Sequence, residues 1–272
     1  MTFFENVLRI FNTKMTTPNL YGWFHILWLL IITAVSWGLC RWHKMKGETP
    51  VRKVLLFVTL LVVILEVYKQ INYSFSYGNG IQFDYQWYAF PFQFCSTPMY
   101  IGLLAALTRK GKVHDAACAY LATFSVFAGI CVMLYPGDVF IDTVGINIQT
   151  MICHGAMIFV GVYLFYSGHV KLESKTILKA VPVFAACVAL ACIMNEIAYR
   201  SGLLETETFN MFFVSPYCAP SLPVYSLVQQ VVPFPWSLVI YIAIFTLAAY
   251  LILLIAMGIN ALSHKKHPIV AH

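Results

Sequence analysis

Long apolar runs, separated by shorter polar segments, are the feature that most constrains how this chain can fold. They lie at residues 21–40, 54–73, 88–107, 116–135, 148–166, 177–199 and 236–258. Because a helix of about twenty apolar residues crosses the hydrocarbon core of a bilayer, each run is long enough to span a membrane once. The runs predict an all-α polytopic membrane protein with about seven transmembrane helices.

The low charge content argues against a soluble globular protein. Of the 272 residues, 60% are hydrophobic and 10% are charged, whereas roughly a quarter of the residues in a soluble domain are charged. The formal net charge of +6 comes largely from basic residues in short segments between the apolar runs. Lysine and arginine at such positions set membrane topology. We therefore expect no nucleic-acid partner.

The basic residues are divided unequally between the two sets of connecting segments. One side holds Arg9, Lys14, Lys69 and Arg200, and the rest of the 17 lysines and arginines lie on the other side. Cytoplasmic loops carry the excess of lysine and arginine, so the second side is predicted to be cytoplasmic. An odd number of spans then places the N-terminus outside and the C-terminus in the cytoplasm.

The pattern predicts three regions. Residues 1–20 form an amphipathic helix at the membrane interface, because apolar residues between Phe3 and Phe11 recur at helical spacing. Residues 21–258 form the seven-helix membrane domain, in which residues 200–235, with five prolines, make an outer cap. Residues 259–272 form a basic cytoplasmic tail whose histidines are expected to be solvated rather than to bind a ligand.

The cysteines give no sign of a disulfide framework or a metal site. Most of the eight lie inside apolar runs, and no CxxC pair is present. A nucleotide-binding loop is also missing from the sequence. We therefore expect no metal and no cofactor, and we expect most cysteines to be small buried hydrophobes.

Polar side chains inside the apolar runs are costly in a membrane, so they are the candidates for function. They concentrate in the halves of the runs that are predicted to face outward, where they are Glu66, Lys69, Gln70, Gln93, Cys95, Gln149, His154, Asn195 and Glu196. Pro91 and Pro98 flank Cys95 and are expected to bend or loosen the third span. The shared depth predicts one polar site built from several helices.

Two interpretations of these residues are open. A free thiol has a pKa near 8.5, so a nucleophilic Cys95 needs a base, and His154 on another helix can supply it. Glu66 can orient that base, or it can form an internal ion pair with Lys69 at i+3. Taken singly, a residue such as His154 is more often a hydrogen-bonded core histidine than a catalyst, and one such as Cys95 is more often a small apolar filler.

Several short elements resemble, in the same order, those of the YwaF-like integral membrane proteins. Residues 90–95 (Phe-Pro-Phe-Gln-Phe-Cys) resemble the family's Leu-Pro-Leu-His-Leu-Cys element, and residues 153–155 resemble its later histidine element. The further matches are Glu66, Asn195, residues 209–213 and residues 232–236. Two departures are Gln93, where many relatives have histidine, and Pro-Phe-Pro-Trp in place of Pro-Trp-Pro-Trp.

This bacterial family is similar to a vertebrate cysteine-dependent acyltransferase that acts on ether phospholipids. The resemblance implies a lipid acyltransferase of the bacterial plasma membrane, with Cys95 as nucleophile, His154 as base and membrane lipids as donor and acceptor. Gln93, Asn195 or Asn210 can then stabilise the oxyanion. A lipid hydrolase with the same dyad, a transporter or receptor with a polar pocket, and a structural factor are the alternatives.

Overall fold

The computed structural model describes residues 2–46, 51–77, 80–219 and 222–266. The α-helices in these ranges are α1 (Phe3–Phe11), α2 (Trp23–Lys46), α3 (Val51–Asn72), α4 (Thr97–Leu107), α5 (Lys112–Ala122), α6 (Phe124–Leu134), α7 (Val144–Tyr166), α8 (Thr176–Arg200), α9 (Pro223–Val231) and α10 (Trp236–Lys266). A short antiparallel hairpin pairs β1 (Phe75–Ser76) with β2 (Gln82–Phe83).

Within the described part of the chain, six segments are long and apolar enough to cross a membrane. They are Trp23–Trp42, Val51–Asn72, Lys112–Leu134, Val144–Tyr166, Thr176–Arg200 and Trp236–Leu262. The third of these contains α5 and α6, which meet at the non-helical residue Thr123. The predicted all-α polytopic membrane protein is confirmed, while the orientation of its termini stays a prediction.

The apolar run at residues 88–107 does not form the continuous transmembrane helix that its sequence predicts. Only its second half is a regular helix, α4, whose 11 residues extend about 16 Å, roughly half of a bilayer core. Pro91 has no backbone N–H to donate, and Pro98 occupies the first turn of α4, where a missing N–H costs nothing. The prediction of a continuous helix over residues 88–96 is therefore wrong.

The irregular segment before α4 is enclosed by neighbouring helices. Helix α4 packs between α3 and α5, and α7 contacts α2, α3, α5 and α6. Aromatic rings fill the centre: Phe124 lies 4.4 Å from Phe184, and Phe94 lies 5.2 Å from Phe184, between ring centroids. Irregular backbone at membrane depth requires such a protein environment, because lipid offers no hydrogen bonds.

The N-terminal helix is docked on the C-terminal end of α3. Thr2 and Glu5 form a capping box at its start, and Leu8 is buried. Tyr68 and Asn72 donate hydrogen bonds of 2.7 and 2.8 Å to the Phe11 carbonyl, where the helix ends. The helix is thus shorter than the predicted residues 1–20, and its place at the membrane interface stays a prediction.

The segment between α8 and α10 is a folded connection with little regular structure. It contains 3-10 turns at Leu203–Glu205 and Met211–Phe213, followed by α9. Phe212, at the second turn, has a φ of +57°, a left-handed conformation that bulky residues rarely adopt. At the other end of the chain, α10 continues to Lys266, and residues 267–272 of the predicted tail lie outside the described residues.

Candidate functional site

Cys95 lies in the irregular segment directly before α4, and its side chain lines a small, half-open cavity. The cavity has a volume of about 30 Å³, and Pro98, Met99 and Gly102 contribute walls from α4. A water molecule requires roughly 10–15 Å³ of such space. The cavity can therefore hold a reacting group but not a whole lipid.

Three further polar side chains line the same cavity, namely Thr59 on α3, Cys153 on α7 and Ser125 on α6, and the last two bear on the chemistry. Cys153 on α7 accepts a hydrogen bond from Gln149 at 3.4 Å. Ser125 on α6 is fully buried, and its hydroxyl has no hydrogen-bond partner within the described residues. Neither residue stands out in the sequence, because cysteine and serine are common in apolar helices. Tertiary packing alone brings them to Cys95.

His154 is buried in α7 with one ring nitrogen bonded and the other free. Its Nδ1 lies 2.7 Å from the Thr150 carbonyl, so Nδ1 must carry the hydrogen, because a carbonyl only accepts. The Nε2 atom then carries a lone pair, and it is a buried atom without a hydrogen-bond partner in the described chain. A buried acceptor without a partner costs free energy, which marks this nitrogen as available to a ligand or a proton.

Cys95 and His154 share a neighbourhood but do not contact each other directly. No hydrogen bond joins them among the residues that the structure describes. Lys69 is near enough to act electrostatically on both. Cys153, one residue before His154, lines the cavity, whereas the His154 ring points about 100° further round α7. His154 is therefore not among the residues that line the Cys95 cavity.

Glu66 forms the internal ion pair. Its Oε1 lies 2.8 Å from Lys69 Nζ, and both side chains are mostly buried. Gln70 donates to the same carboxylate oxygen at 2.8 Å and to the Ala89 carbonyl at 2.8 Å. The Thr150 carbonyl, and not Glu66, therefore orients His154 in this structure.

The predicted oxyanion donors bind backbone instead of facing the cavity. Gln93 donates to the Asn210 carbonyl at 3.2 Å and accepts from the Phe212 N–H at 3.1 Å. Asn195 donates to the Met211 carbonyl at 3.1 Å and accepts from its N–H at 2.8 Å.

Asn210 completes this set of amides, since its Oδ1 accepts from the Ser215 N–H at 3.0 Å. Together the three amides hold the turn in which Phe212 adopts its strained backbone. Phe212 in turn stacks on Phe94, with ring centroids 5.7 Å apart. The amides thus position the segment next to Cys95, and their contact with a substrate stays a prediction.

Two larger grooves flank the cavity. A groove of about 490 Å³ lies between α3 and α4, and its lining includes Glu66 and Gln70. It is called the outer groove because it lies at the end of α3 that is predicted to face outward. An apolar groove of about 390 Å³ lies between α2, α3 and α7. Met99 lines both the outer groove and the cavity, and Val58 and Ala156 line both the apolar groove and the cavity. The Cys95 cavity thus lies between the two grooves, separated from each by one or two side chains.

Comparison with known families gives one finding. The sequence model described as the TMEM164 family matches residues 20–254. This range includes Glu66, Cys95, His154, Asn195 and Asn210. No curated protein and no solved structure matches the chain.

Proposed function

The chain belongs to the TMEM164 family, and we propose that it is a lipid acyltransferase. In this proposal the half-buried Cys95 thiol carries the acyl group as a thioester. The observation that carries this proposal is the position of Cys95 in a cavity between two grooves on the membrane-spanning helices. Such a cavity suits a reaction at an ester bond whose acyl chain and headgroup extend in opposite directions.

The grooves suggest how a phospholipid is bound. The apolar groove, lined by side chains such as Ile32, Leu39 and Phe57, takes an acyl chain. The outer groove presents the Glu66 carboxylate and the Gln70 amide, which can bind a polar headgroup. Met99 separates this groove from Cys95, and its flexible thioether can move aside when a substrate binds.

The first half of the reaction moves the acyl group to sulfur. His154 Nε2 takes the proton from the Cys95 thiol, and the thiolate attacks the ester carbonyl carbon. The carbon–oxygen bond breaks, and the leaving alcohol receives the proton from His154. Catalytic contacts are often longer in a structure without substrate, so the separation of His154 from Cys95 is compatible with this role.

In the second half, His154 takes the proton from the hydroxyl of an acceptor, whose oxygen attacks the thioester carbonyl. The carbon–sulfur bond breaks, and the thiolate recovers its proton. A lysolipid as acceptor makes the protein a transferase, and water makes it a lipid hydrolase. The resemblance to the YwaF-like proteins favours membrane lipids as partners, the bacterial plasma membrane as location and phospholipid remodelling as the role.

Ser125 is the best-placed donor for the oxyanion that forms at each step. Its hydroxyl lines the cavity with Cys95 and has no partner among the described residues. A donor that is already oriented and desolvated stabilises developing charge more than a solvated one does. The amide N–H groups of Gln93 and Asn195 already donate to backbone carbonyls, so Ser125 takes their place in this assignment. Asn210, whose Oδ1 accepts from the Ser215 N–H, keeps its amide N–H group as a second candidate donor.

The test is intact-protein mass spectrometry on the detergent-purified chain after incubation with mixed phospholipids. We expect a fatty-acyl adduct that hydroxylamine removes and that Cys95→Ala abolishes. Cys153→Ala is the matched control, because it removes the second thiol of the same cavity, and it should keep the adduct. An adduct that persists in Cys95→Ala, or that disappears only in Cys153→Ala, contradicts the proposal.

A transporter is the second candidate, and the buried Glu66–Lys69 pair beside the outer groove favours it. An intramembrane ion pair in a groove can bind and release a proton or a charged solute. In that case Glu66→Gln should abolish solute uptake into proteoliposomes, and Cys95→Ala should leave uptake unchanged. The acyltransferase predicts instead that Cys95→Ala abolishes lipid remodelling.

A further inference from the structure

A second group of reactive side chains lies at the other end of α4 from Cys95. His114 and Cys118 are four residues apart on α5, so they lie on one face of that helix. His169 belongs to the connection between α7 and α8, 55 residues from His114. The fold brings these three side chains together, and their ligating atoms all lie within 4.8 Å of one another.

The distances within the group are close to those of a tetrahedral metal site. Zn–N bonds of about 2.0–2.1 Å and Zn–S bonds of about 2.3 Å at tetrahedral angles place sulfur about 3.6 Å from nitrogen and two nitrogens about 3.3 Å apart. The Cys118 Sγ atom lies 3.6 Å from His114 Nε2, and the Nε2 atoms of His114 and His169 lie 2.7 Å apart. A separation of the two imidazoles by about 0.6 Å would admit the ion.

Hydrogen bonds on the far side of His114 direct its lone pair into the group. Thr108 uses its hydroxyl hydrogen on the Leu104 carbonyl at 2.6 Å, so it can only accept from His114 Nδ1, which lies 3.3 Å away. The Ala105 carbonyl, 3.1 Å from Nδ1, is also an acceptor. The hydrogen of His114 is thus on Nδ1, which leaves Nε2 free to ligate. Metal-binding histidines almost always have such an outer partner.

We propose that His114, Cys118 and His169 bind a zinc ion. Neutral imidazole and thiolate are the ligands that zinc prefers, and three protein ligands leave a fourth position for water or another group. Binding releases the Cys118 thiol proton, and the hydrogen between the two Nε2 atoms moves to His169 Nδ1 or to solvent. His169 is exposed while the other two are buried, so the ion reaches the site from the His169 side.

The ion would connect three parts of the fold. His114 and Cys118 fix it to the start of α5, His169 fixes it to the α7–α8 connection, and Ala105 links it to the end of α4. Asp115 is exposed next to these ligands and acts electrostatically on Cys118 and His169. Its negative charge favours a bound cation. This inference does not depend on the proposed acyl transfer.

Cobalt substitution in the purified full-length protein tests the site. After chelation, Co²⁺ should produce the visible bands of a tetrahedral ion and a thiolate-to-cobalt charge-transfer band, and one equivalent of Zn²⁺ should remove both. Cys118→Ser should lose the charge-transfer band, and His169→Ala should weaken Co²⁺ binding at least tenfold. Cys131→Ser, an exposed cysteine outside the group, should keep the full spectrum.

Two results would overturn the inference. One is a charge-transfer band that survives in Cys118→Ser. The other is a wild-type protein that folds normally by circular dichroism after chelation but binds neither metal. It would then show no cobalt spectrum after incubation with Co²⁺ and no stoichiometric zinc by elemental analysis after incubation with Zn²⁺. The 2.7 Å contact would then be a hydrogen bond between two imidazoles only. Thermal unfolding of each variant without metal shows whether it folds, and Cys95→Ala should bind metal normally whatever its activity.

Discussion

The amides around the Met211–Phe213 turn and the polar groups beside the Cys95 cavity differ in one respect, which is whether they have partners. Gln93 and Asn195 each bind backbone through both ends of the amide. His154 Nε2 and Ser125 Oγ, although also buried, have no hydrogen-bond partner within the described residues. Gln93, Asn195, His154 and Ser125 all belong to the same helical bundle.

This difference separates structural polar groups from candidate catalytic ones. A fully bonded buried amide stabilises the fold, and its loss leaves backbone groups without partners. A buried group without a partner contributes nothing comparable to stability, so its presence calls for another explanation, such as a ligand. The comparison predicts opposite outcomes for substitutions at the two kinds of position, in stability and in activity.

Replacement of His154 by glutamine should have the largest effect on activity. The loss of a general base lowers the rate by about 10²–10⁴, and the burst of acyl-thioester formation measures this directly. The thermal unfolding midpoint should change little, because the glutamine amide can donate to the Thr150 carbonyl in place of Nδ1. A large loss of stability with activity retained would instead make His154 a structural histidine.

Replacement of Ser125 by alanine should have the next largest effect. The loss of one oxyanion donor lowers the rate by about 10²–10³, while stability should not fall, since the hydroxyl has no partner to lose among the described residues. Thioester formation and its turnover should slow to the same extent, because both pass through an oxyanion. Thr246→Val is the matched control: Thr246 on α10 also has a buried hydroxyl without a partner among the described residues, it does not line the cavity, and its replacement should leave both rates nearly unchanged.

Membrane class and most spans follow from the sequence, because hydrocarbon imposes a length and a composition on every crossing helix. The irregular backbone of residues 88–96 could not be predicted in this way. Pro91 and Pro98 indicate a bend, but an irregular backbone at this depth is tolerated only because neighbouring helices surround it. The packing of α4 between α3 and α5 is a property of the folded chain, and local propensity does not contain it.

The sequence indicates some residues of the candidate site and not others. Cys95 and His154 stand out as polar residues in apolar runs, and the Glu66–Lys69 pair was one of two open interpretations. Ser125 looks like an ordinary small residue in the sequence, and its unpartnered hydroxyl is visible only in the fold. His114 and Cys118 have a helical i, i+4 spacing that could have drawn notice, but His169 joins them only through the α7–α8 connection.

Replacement of Asn195 by leucine, which has a similar volume, should have the smallest catalytic effect and a clear cost in stability. It leaves the Met211 N–H and carbonyl without their partner, which costs about 1–3 kcal/mol for each buried group. Thermal unfolding in detergent should therefore show a lower midpoint, while the thioester should still form at a temperature where the variant is folded.

The control for this variant lies one residue further along α8. Glu196 is bonded to Arg200 and Tyr217 at the surface, and an exposed ion pair adds little to stability. Glu196→Gln should thus unfold almost as the wild type does. If Asn195→Leu were as stable as this control but unable to form the thioester, Asn195 would belong with His154 and Ser125, and hydrogen-bond satisfaction would no longer distinguish the two groups of residues.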